Sequence, residues 1–155
     1  MNSRRAVVLA TSAMMVALVG CERNRTSDFW VLAKSYHLVL HLSARPVLSP
    51  EREAYFAPVI DSAVFVLQVD SVQLDHVFGK YRGDTRHFPV AFTSLGDSAF
   101  VLAKNGDLWK GTLSGAANDA GLELSGQRSL NTIRGTWRLR SSDTSHGEFT
   151  IRPGA

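Results

Sequence analysis

The sequence predicts an all-β fold, an antiparallel up-and-down meander of about eight strands that closes into a small barrel. Three observations predict it. Short segments of alternating apolar and polar residues recur from residue 36 to residue 152, turn residues separate them, and no segment has a convincing helical period. Strands joined by short turns are antiparallel neighbours, and a meander of this length removes its exposed edges by closing.

The strand pattern recurs along most of the chain. It occupies residues 36–42, 63–72, 76–82, 88–95, 98–104, 107–115, 122–126, 132–140 and 148–152. The first segment is rich in leucine and also permits a helix, but its strict alternation from Tyr36 onwards favours a strand. Asn105-Gly106 is the strongest turn signal, because both residue types accept the positive φ of a type I′ hairpin.

Alternate residues divide these strands into an apolar inner face and a polar outer face. The inner aromatic residues are candidates for the core or for the wall of an apolar pocket: Tyr81, Phe88, Phe92, Trp109, Trp137 and Phe149. Lys80, Lys110 and Arg134 lie on the opposite face. An antiparallel sheet with one face on the core and one face in solvent has this division into an apolar and a polar face.

Two strands repeat a local pattern in which an aliphatic residue is followed by an inner glycine and then by an inner aromatic residue. The pattern occupies residues 77–81 and 133–137. An inner glycine lets a strand coil and leaves room for a neighbouring ring. Gly135-Thr136-Trp137 is similar to the Gly-x-Trp motif of the lipocalin, avidin and fatty-acid-binding barrels. That resemblance, over residues 63–152, implies a lipocalin-like (calycin) barrel. In lipocalins the motif lies near the start of the barrel, so no ligand residues are carried over.

The front of the chain has the pattern of an export signal. Arg4 and Arg5 precede an apolar run over residues 6–19, which is shorter than the roughly 20 residues of a membrane-spanning helix. Leu18-Val19-Gly20-Cys21 resembles the lipobox of bacterial lipoproteins. The resemblance implies cleavage before Cys21, a diacylglycerol thioether on its sulfur and an acylated amino terminus. Glu22 follows, not the aspartate that favours inner-membrane retention in enteric bacteria, so we expect an outer-membrane anchor facing the periplasm.

The sequence therefore divides into a signal peptide (1–20), a tether (21–34) and one barrel domain (35–155), with a long, proline-containing connection at 44–61. Without the signal peptide, 155 − 20 = 135 residues remain, enough for one core. The signal peptide also removes two arginines, which leaves 17 − 2 = 15 basic against 14 acidic residues. This balance predicts no nucleic-acid partner. The single cysteine excludes zinc–thiolate and cysteine-protease sites.

No residue pattern predicts catalysis, a metal or a cofactor. Gly-x-Ser-x-Gly, His-Glu-x-x-His and Ser-x-x-Lys are absent from the sequence. His37 and His41 lie about 13 Å apart if residues 36–42 form a strand, at roughly 3.3 Å per residue. Arg82-Gly83-Asp84 is placed where a strand ends, and a turn explains it better than adhesion. We therefore expect a protein that is not an enzyme.

Two functions fit a small anchored barrel. The first is binding of a small apolar or amphiphilic molecule inside the barrel, as in lipocalin-like carriers. The second is a protein-interaction role for a solid barrel, as an envelope assembly accessory or as an inhibitor of a hydrolase. A void of a few hundred Å³ in the interior would distinguish the first from the second.

The anchor is tested by replacing Cys21→Ser. We expect the variant to remain unprocessed or soluble, and to keep its thermal stability, because the residue lies outside the barrel domain. Membrane fractionation and mass spectrometry of the amino terminus measure both. Wild-type protein with a free thiol in the soluble periplasmic fraction would contradict the prediction.

Overall fold

The structure is a computed structural model that describes residues 29–30, 33–90, 98–114, 121–140 and 145–154. In these residues each strand pairs antiparallel with the next, and the first pairs with the last, so that the sheet closes into a barrel. The strands are β1 (Ser35–Leu42), β2 (Ser62–Gln73), β3 (His76–Gly83), β4 (Ala99–Asn105), β5 (Leu108–Ser114), β6 (Gly121–Ser129), β7 (Thr132–Leu139) and β8 (His146–Pro153). One short helix, α1 (Pro50–Phe56), lies between β1 and β2. The predicted closed meander is confirmed.

The first segment is a strand, as its alternation predicted. Tyr36, Leu38 and Leu40 of β1 are fully buried inside the barrel. His37 and His41 occupy the alternate, outward positions. The eight residues of β1 pair with β2 on one side and with β8 on the other, so this strand completes the barrel.

The two ends of the barrel differ in their connections. One end, called the hairpin end, carries the two-residue turns at 74–75, 106–107 and 130–131, and the chain enters β1 from this end. The other end, called the loop end, carries the longer connections at 43–61, 84–98, 115–120 and 140–145, parts of which lie outside the described residues.

The three hairpins share one backbone geometry. The first residue of each loop has a positive φ: 51° at Leu74, 62° at Gly106 and 53° at Leu130. Type II′ turns have positive φ at this position, which glycine usually occupies. The left-handed conformation costs an L-residue such as leucine roughly 1–2 kcal/mol.

The predicted turn at Asn105-Gly106 is wrong by one residue. The turn lies at 106–107, because Asn105 still pairs with Leu108 in the ladder between β4 and β5.

The predicted strand at 88–95 is not formed over its described part. Residues 88–90 make bends, and 91–95 lie outside the described residues. The amides of Phe88 and Val90 bond to nearby carbonyl groups of the same connection, and Pro89 has no amide hydrogen to give to a ladder. β3 pairs directly with β4 instead, and Phe88 and Val90 are buried without belonging to a strand.

The connection at 44–61 contains α1, which the sequence analysis did not predict. The Ser49 side chain accepts a hydrogen bond from the amide of Arg52, Pro50 begins the helix, and Glu51 and Glu53 are favourable acids in its first turn. These are sound start signals. A helix of seven residues is too short to show a hydrophobic period, so the periodicity of the sequence does not indicate it.

The hydrophobic core begins before β1. Phe29 and Trp30, which belong to the segment predicted as a tether, are buried at the hairpin end with 0% and 3% of their surface exposed. Their rings lie 5.2 Å and 4.7 Å from the ring of Tyr36. The packed domain therefore includes the last part of residues 21–34.

Inner glycines provide the space for rings of neighbouring strands. Gly126 of β6 pairs with Gly135 of β7, and a Cβ atom added at Gly126 would lie 2.8 Å from the Phe149 ring. Gly79 of β3 is likewise covered by the ring of Phe100. This confirms that the Gly-x-aromatic pattern combines tight strand approach with ring packing.

We expect Gly135→Val to lower the free energy of unfolding by about 1–3 kcal/mol, because its side chain would collide with the backbone of Ser125 and Gly126. Thr136→Val, on the exposed face of the same strand, is the control and is expected to change stability by less than about 0.5 kcal/mol. Denaturant unfolding followed by circular dichroism measures both. Equal stability of the two variants would contradict this packing.

Candidate functional site

The predicted pocket or core residues point into the barrel but lie at different heights. Trp109 lies toward the hairpin end, and Trp137 and Phe88 lie together at the loop end. Tyr81 contacts Phe65, and Phe149 covers the paired glycines of β6 and β7. Phe92 and Cys21 fall outside the described residues.

The hairpin end is filled by an aromatic cluster. The Trp30 ring lies 4.7 Å from Tyr36 and 5.7 Å from Trp109, between centroids, and the Tyr36 hydroxyl donates to the carbonyl of Phe29. The buried indole N–H of Trp30 has no hydrogen-bond acceptor among the described residues. The rings that neighbour this indole are those of Phe29, Tyr36 and Trp109, with centroids 4.7 Å, 4.7 Å and 5.7 Å from the Trp30 ring.

The loop end is closed by a second set of contacts. The indole N–H of Trp137 donates to the carbonyl of His41 at 3.0 Å, and the Phe88 ring lies 6.1 Å from the Trp137 ring. The amide of Ile60 bonds to the carbonyl of His87 at 2.9 Å. These bonds tie the connections at 43–61 and 84–98 to each other over this end of the barrel.

Tyr81 was predicted as a polar group on the inner face. Its hydroxyl donates to the carbonyl of Ser114 at 3.1 Å. Burial raises the pKa of the Tyr81 phenol above its ordinary value, so the group stays a neutral donor. The phenol is therefore used within the fold, where it links β3 to the last residue of β5.

The side chains in the interior of the barrel are almost entirely buried. The exposed fraction is 0% for Tyr36 and Phe88, 1% for Trp137 and 2% for Trp109 and Phe149. A void large enough to hold water would leave part of each surrounding side chain exposed. These residues contact one another or other atoms of the chain over nearly all of their surface.

A groove of about 870 Å³ lies on the outside of the barrel and was not predicted. Its described walls come from β3 to β8: His76, Val101, Ala103, Lys110, Gly111, Thr112, Glu123, Leu124, Ser125, Thr136, Trp137, Arg138 and His146. Outward positions of four consecutive strands carry small side chains, namely Ala103, Thr112, Ser125 and Thr136. That run of small outer residues is the sequence signal that would have indicated a depression here.

The charges of the groove are arranged around one carboxylate. Glu123 forms ion pairs with Arg138 and Arg140, with N–O distances of 2.5 Å and 3.5 Å. The hydrogen bond from Arg138 is the main cause that lowers the pKa of Glu123, so this carboxylate is ionised at neutral pH. Pairs this exposed add little stability. The two ion pairs fix the orientation of these charged side chains beside the groove.

The remaining polar motifs are used locally. Asp84 accepts hydrogen bonds from the amide and the guanidinium of Arg86, whose side chain lowers the pKa of this carboxyl to about 2. The carboxylate of Arg82-Gly83-Asp84 is thus engaged by its own chain. In the part of the chain that the structure describes, no three His, Cys, Asp or Glu residues are grouped to hold a metal, and no helix is long and apolar enough to cross a bilayer.

No protein-family model matches the sequence, and a search of curated proteins finds no match either.

The interior is tested by titration with a fatty acid. We expect no saturable change in tryptophan emission, because Trp109 and Trp137 are already covered by protein atoms. Trp137→Ala is expected to lower the free energy of unfolding by about 3–5 kcal/mol. It is expected to leave the result of the fatty-acid titration unchanged. Saturable binding of one fatty acid per chain, weakened by Trp137→Ala beyond its effect on folding, would contradict the prediction.

Proposed function

We propose that this protein is a lipid-anchored lipoprotein of the bacterial envelope, and that its filled barrel binds another envelope protein through its outer surface. The observation that carries the proposal is the interior exposure of 0–2% for the inner aromatic residues Tyr36, Phe88, Trp109, Trp137 and Phe149. A barrel of about eight strands is either filled by its own side chains or holds one small ligand. Interior side chains this well covered support the filled alternative and leave the outer surface for recognition.

The outer groove is the docking site in this proposal. Its floor offers hydroxyl groups at Thr112, Ser125 and Thr136, and Lys110 and Glu123 supply charges of both signs. This mixture of hydroxyl, cationic, anionic and aliphatic groups suits a polypeptide, which presents amides, side chains and charges together. We therefore assign the groove to a segment of a partner protein, with Glu123 and Arg138 setting its orientation.

Two roles are compatible with such a groove. An assembly accessory would hold a partner while it joins a larger envelope complex, and a hydrolase inhibitor would cover the active site of its target. The loop end supplies a second contact region for either role, since Val47 and Tyr55 of the connection at 43–61 are 102% and 76% exposed.

A lipocalin-like carrier is the second candidate, and particular features favour it. The connection at 43–61 lies over the loop end, and the buried indole N–H of Trp30 has no acceptor among the described residues, so a ligand oxygen would satisfy it. This function requires Phe88 to leave its place beside Trp137, because the described loop end is otherwise closed.

The groove is tested by placing a photoreactive amino acid at Ser125 in the anchored protein and irradiating intact cells. We expect a defined cross-linked product with one envelope protein. Thr112→Arg is expected to reduce that product at least about tenfold, because a long cation would occupy the groove floor. Gln68, exposed on the outer face of β2 away from the groove, is the matched control position for the same amino acid.

Cross-linking at Gln68 as strong as at Ser125, or a product that survives Thr112→Arg, would contradict the groove as the docking site. Circular dichroism of each variant confirms that the barrel is intact. A fatty acid recovered from the purified protein would favour the carrier instead.

A further inference from the structure

Exposed leucines lie on all three hairpins of one end of the barrel. Leu74 and Leu130 stand at the tips of the β2–β3 and β6–β7 turns with 80% and 86% of their surface exposed, and Leu108, beside the third turn, is 38% exposed. Among the described residues toward the loop end, the exposed large apolar side chains are Val47, Tyr55 and Ile60 of one connection and Val64 near the start of β2. An apolar residue on every hairpin of one end gives that end a common apolar plane.

The two tip leucines are held in a backbone conformation that disfavours them. Both have a positive φ, at the position where the equivalent loop of the third hairpin has Gly106. Glycine or asparagine at these positions would fold with less strain. Strain of this kind, in a side chain that contributes nothing to the core, points to a use outside the fold.

The chain leaves the barrel beside one of these leucines. Phe29, the first described residue, is buried at the hairpin end, and the Arg128 guanidinium lies over its ring at 5.0 Å from the centroid. The same guanidinium donates to the carbonyl of Leu130 at 2.9 Å. Between Cys21 and Phe29 there are 29 − 21 = 8 residue steps, which span at most about 28 Å at roughly 3.5 Å each.

The charge of this end favours an anionic surface. In the strand halves, the turns and the entering segment at the hairpin end, the described basic residues outnumber the acidic ones: Lys34, Lys104, Lys110, Arg128, Arg134 and Arg152 against Asp70, Asp75 and Asp107. One of those acids, Asp75, is paired with His76 at 2.7 Å. Cations around an apolar plane match lipid headgroups around acyl chains.

We propose that the hairpin end is a membrane-contacting face, with Leu74 and Leu130 inserted among the headgroups of the bilayer that holds the acylated Cys21. This inference rests on the anchor in the proposed function. A chain segment of eight residues keeps the hairpin end close to the bilayer, and the leucines orient it. The loop end and the part of the outer groove nearest to it, with Glu123, Arg138 and His146, then face away from the lipid, where a partner can reach them.

The experiment uses the mature lipoprotein in vesicles of zwitterionic and anionic phospholipid. Leu130→Cys is labelled with an environment-sensitive fluorophore, and Val47→Cys, fully exposed at the loop end, is the matched control. We expect the label at position 130 to shift to the blue and to be quenched by lipids that carry a spin label. The label at position 47 is expected to show neither effect.

A second variant separates insertion from folding. Leu74→Asn, made in the labelled Leu130→Cys protein, is expected to reduce quenching by about twofold or more, because one inserted side chain is lost. Its melting temperature is expected to stay equal or to rise, since asparagine accepts positive φ. Val47→Asn in the same background is expected to leave the quenching unchanged.

Equal solvent exposure of the labels at positions 130 and 47 in anchored protein would overturn the membrane contact and leave the anchor standing. A blue shift that depends on protein density but not on spin-labelled lipid would assign this end to a second copy of the chain, and would also overturn it. Labelling of the wild-type chain at Cys21 would show a free thiol, which overturns the anchor and the membrane contact together.

Discussion

The pairing of β1 with β8 is the constraint on which the rest of the structure depends. It closes the sheet, so every inward side chain must fit a space of fixed size. The glycines of three strands respond to this limit. The rings of Phe100 and Phe149 leave no room for a Cβ atom at Gly79 of β3 and Gly126 of β6, and Gly135 of β7 lets its backbone lie close to that of β6. Closure also leaves the two ends as the only ways into the interior, and aromatic residues from outside the strands fill both: Phe29 and Trp30 at one end and Phe88 at the other.

Because side chains fill the interior, the surfaces that remain for recognition lie on the outside of the barrel. The outward positions differ in size. Four consecutive strands carry small residues that form the floor of the groove, and Lys110, Glu123 and Arg138 contribute longer charged side chains to the same groove. The two ends also differ, since one has three tight hairpins and the other has long connections. A barrel of this kind presents three separate surfaces: the groove, the hairpin end and the loop end.

The sequence was sufficient for the closed meander, for the inward direction of Trp109, Trp137 and Phe149, and for the role of the inner glycines, because the period of two applies to each strand by itself. It was insufficient for Phe88, whose segment has strand-like alternation but lies across an end of the barrel, and for α1, which is too short for a periodic signal. The outer groove was also missed. It depends on the register between neighbouring strands, which the turns and the matching of hydrophobic faces set together, and which no single segment shows.

Leu74 and Leu130, both at a positive φ, are described positions where local preference and fold disagree. The chain uses glycine in the β4–β5 hairpin, so the same turn is available without strain, and yet two of the three hairpins keep an exposed leucine. Packing does not explain them, because neither residue belongs to the core. Natural sequences agree with their folds at most positions and depart from them where another demand acts. The proposed membrane contact of the hairpin end is a demand of this kind, because it requires exposed apolar side chains at the tips of the hairpins.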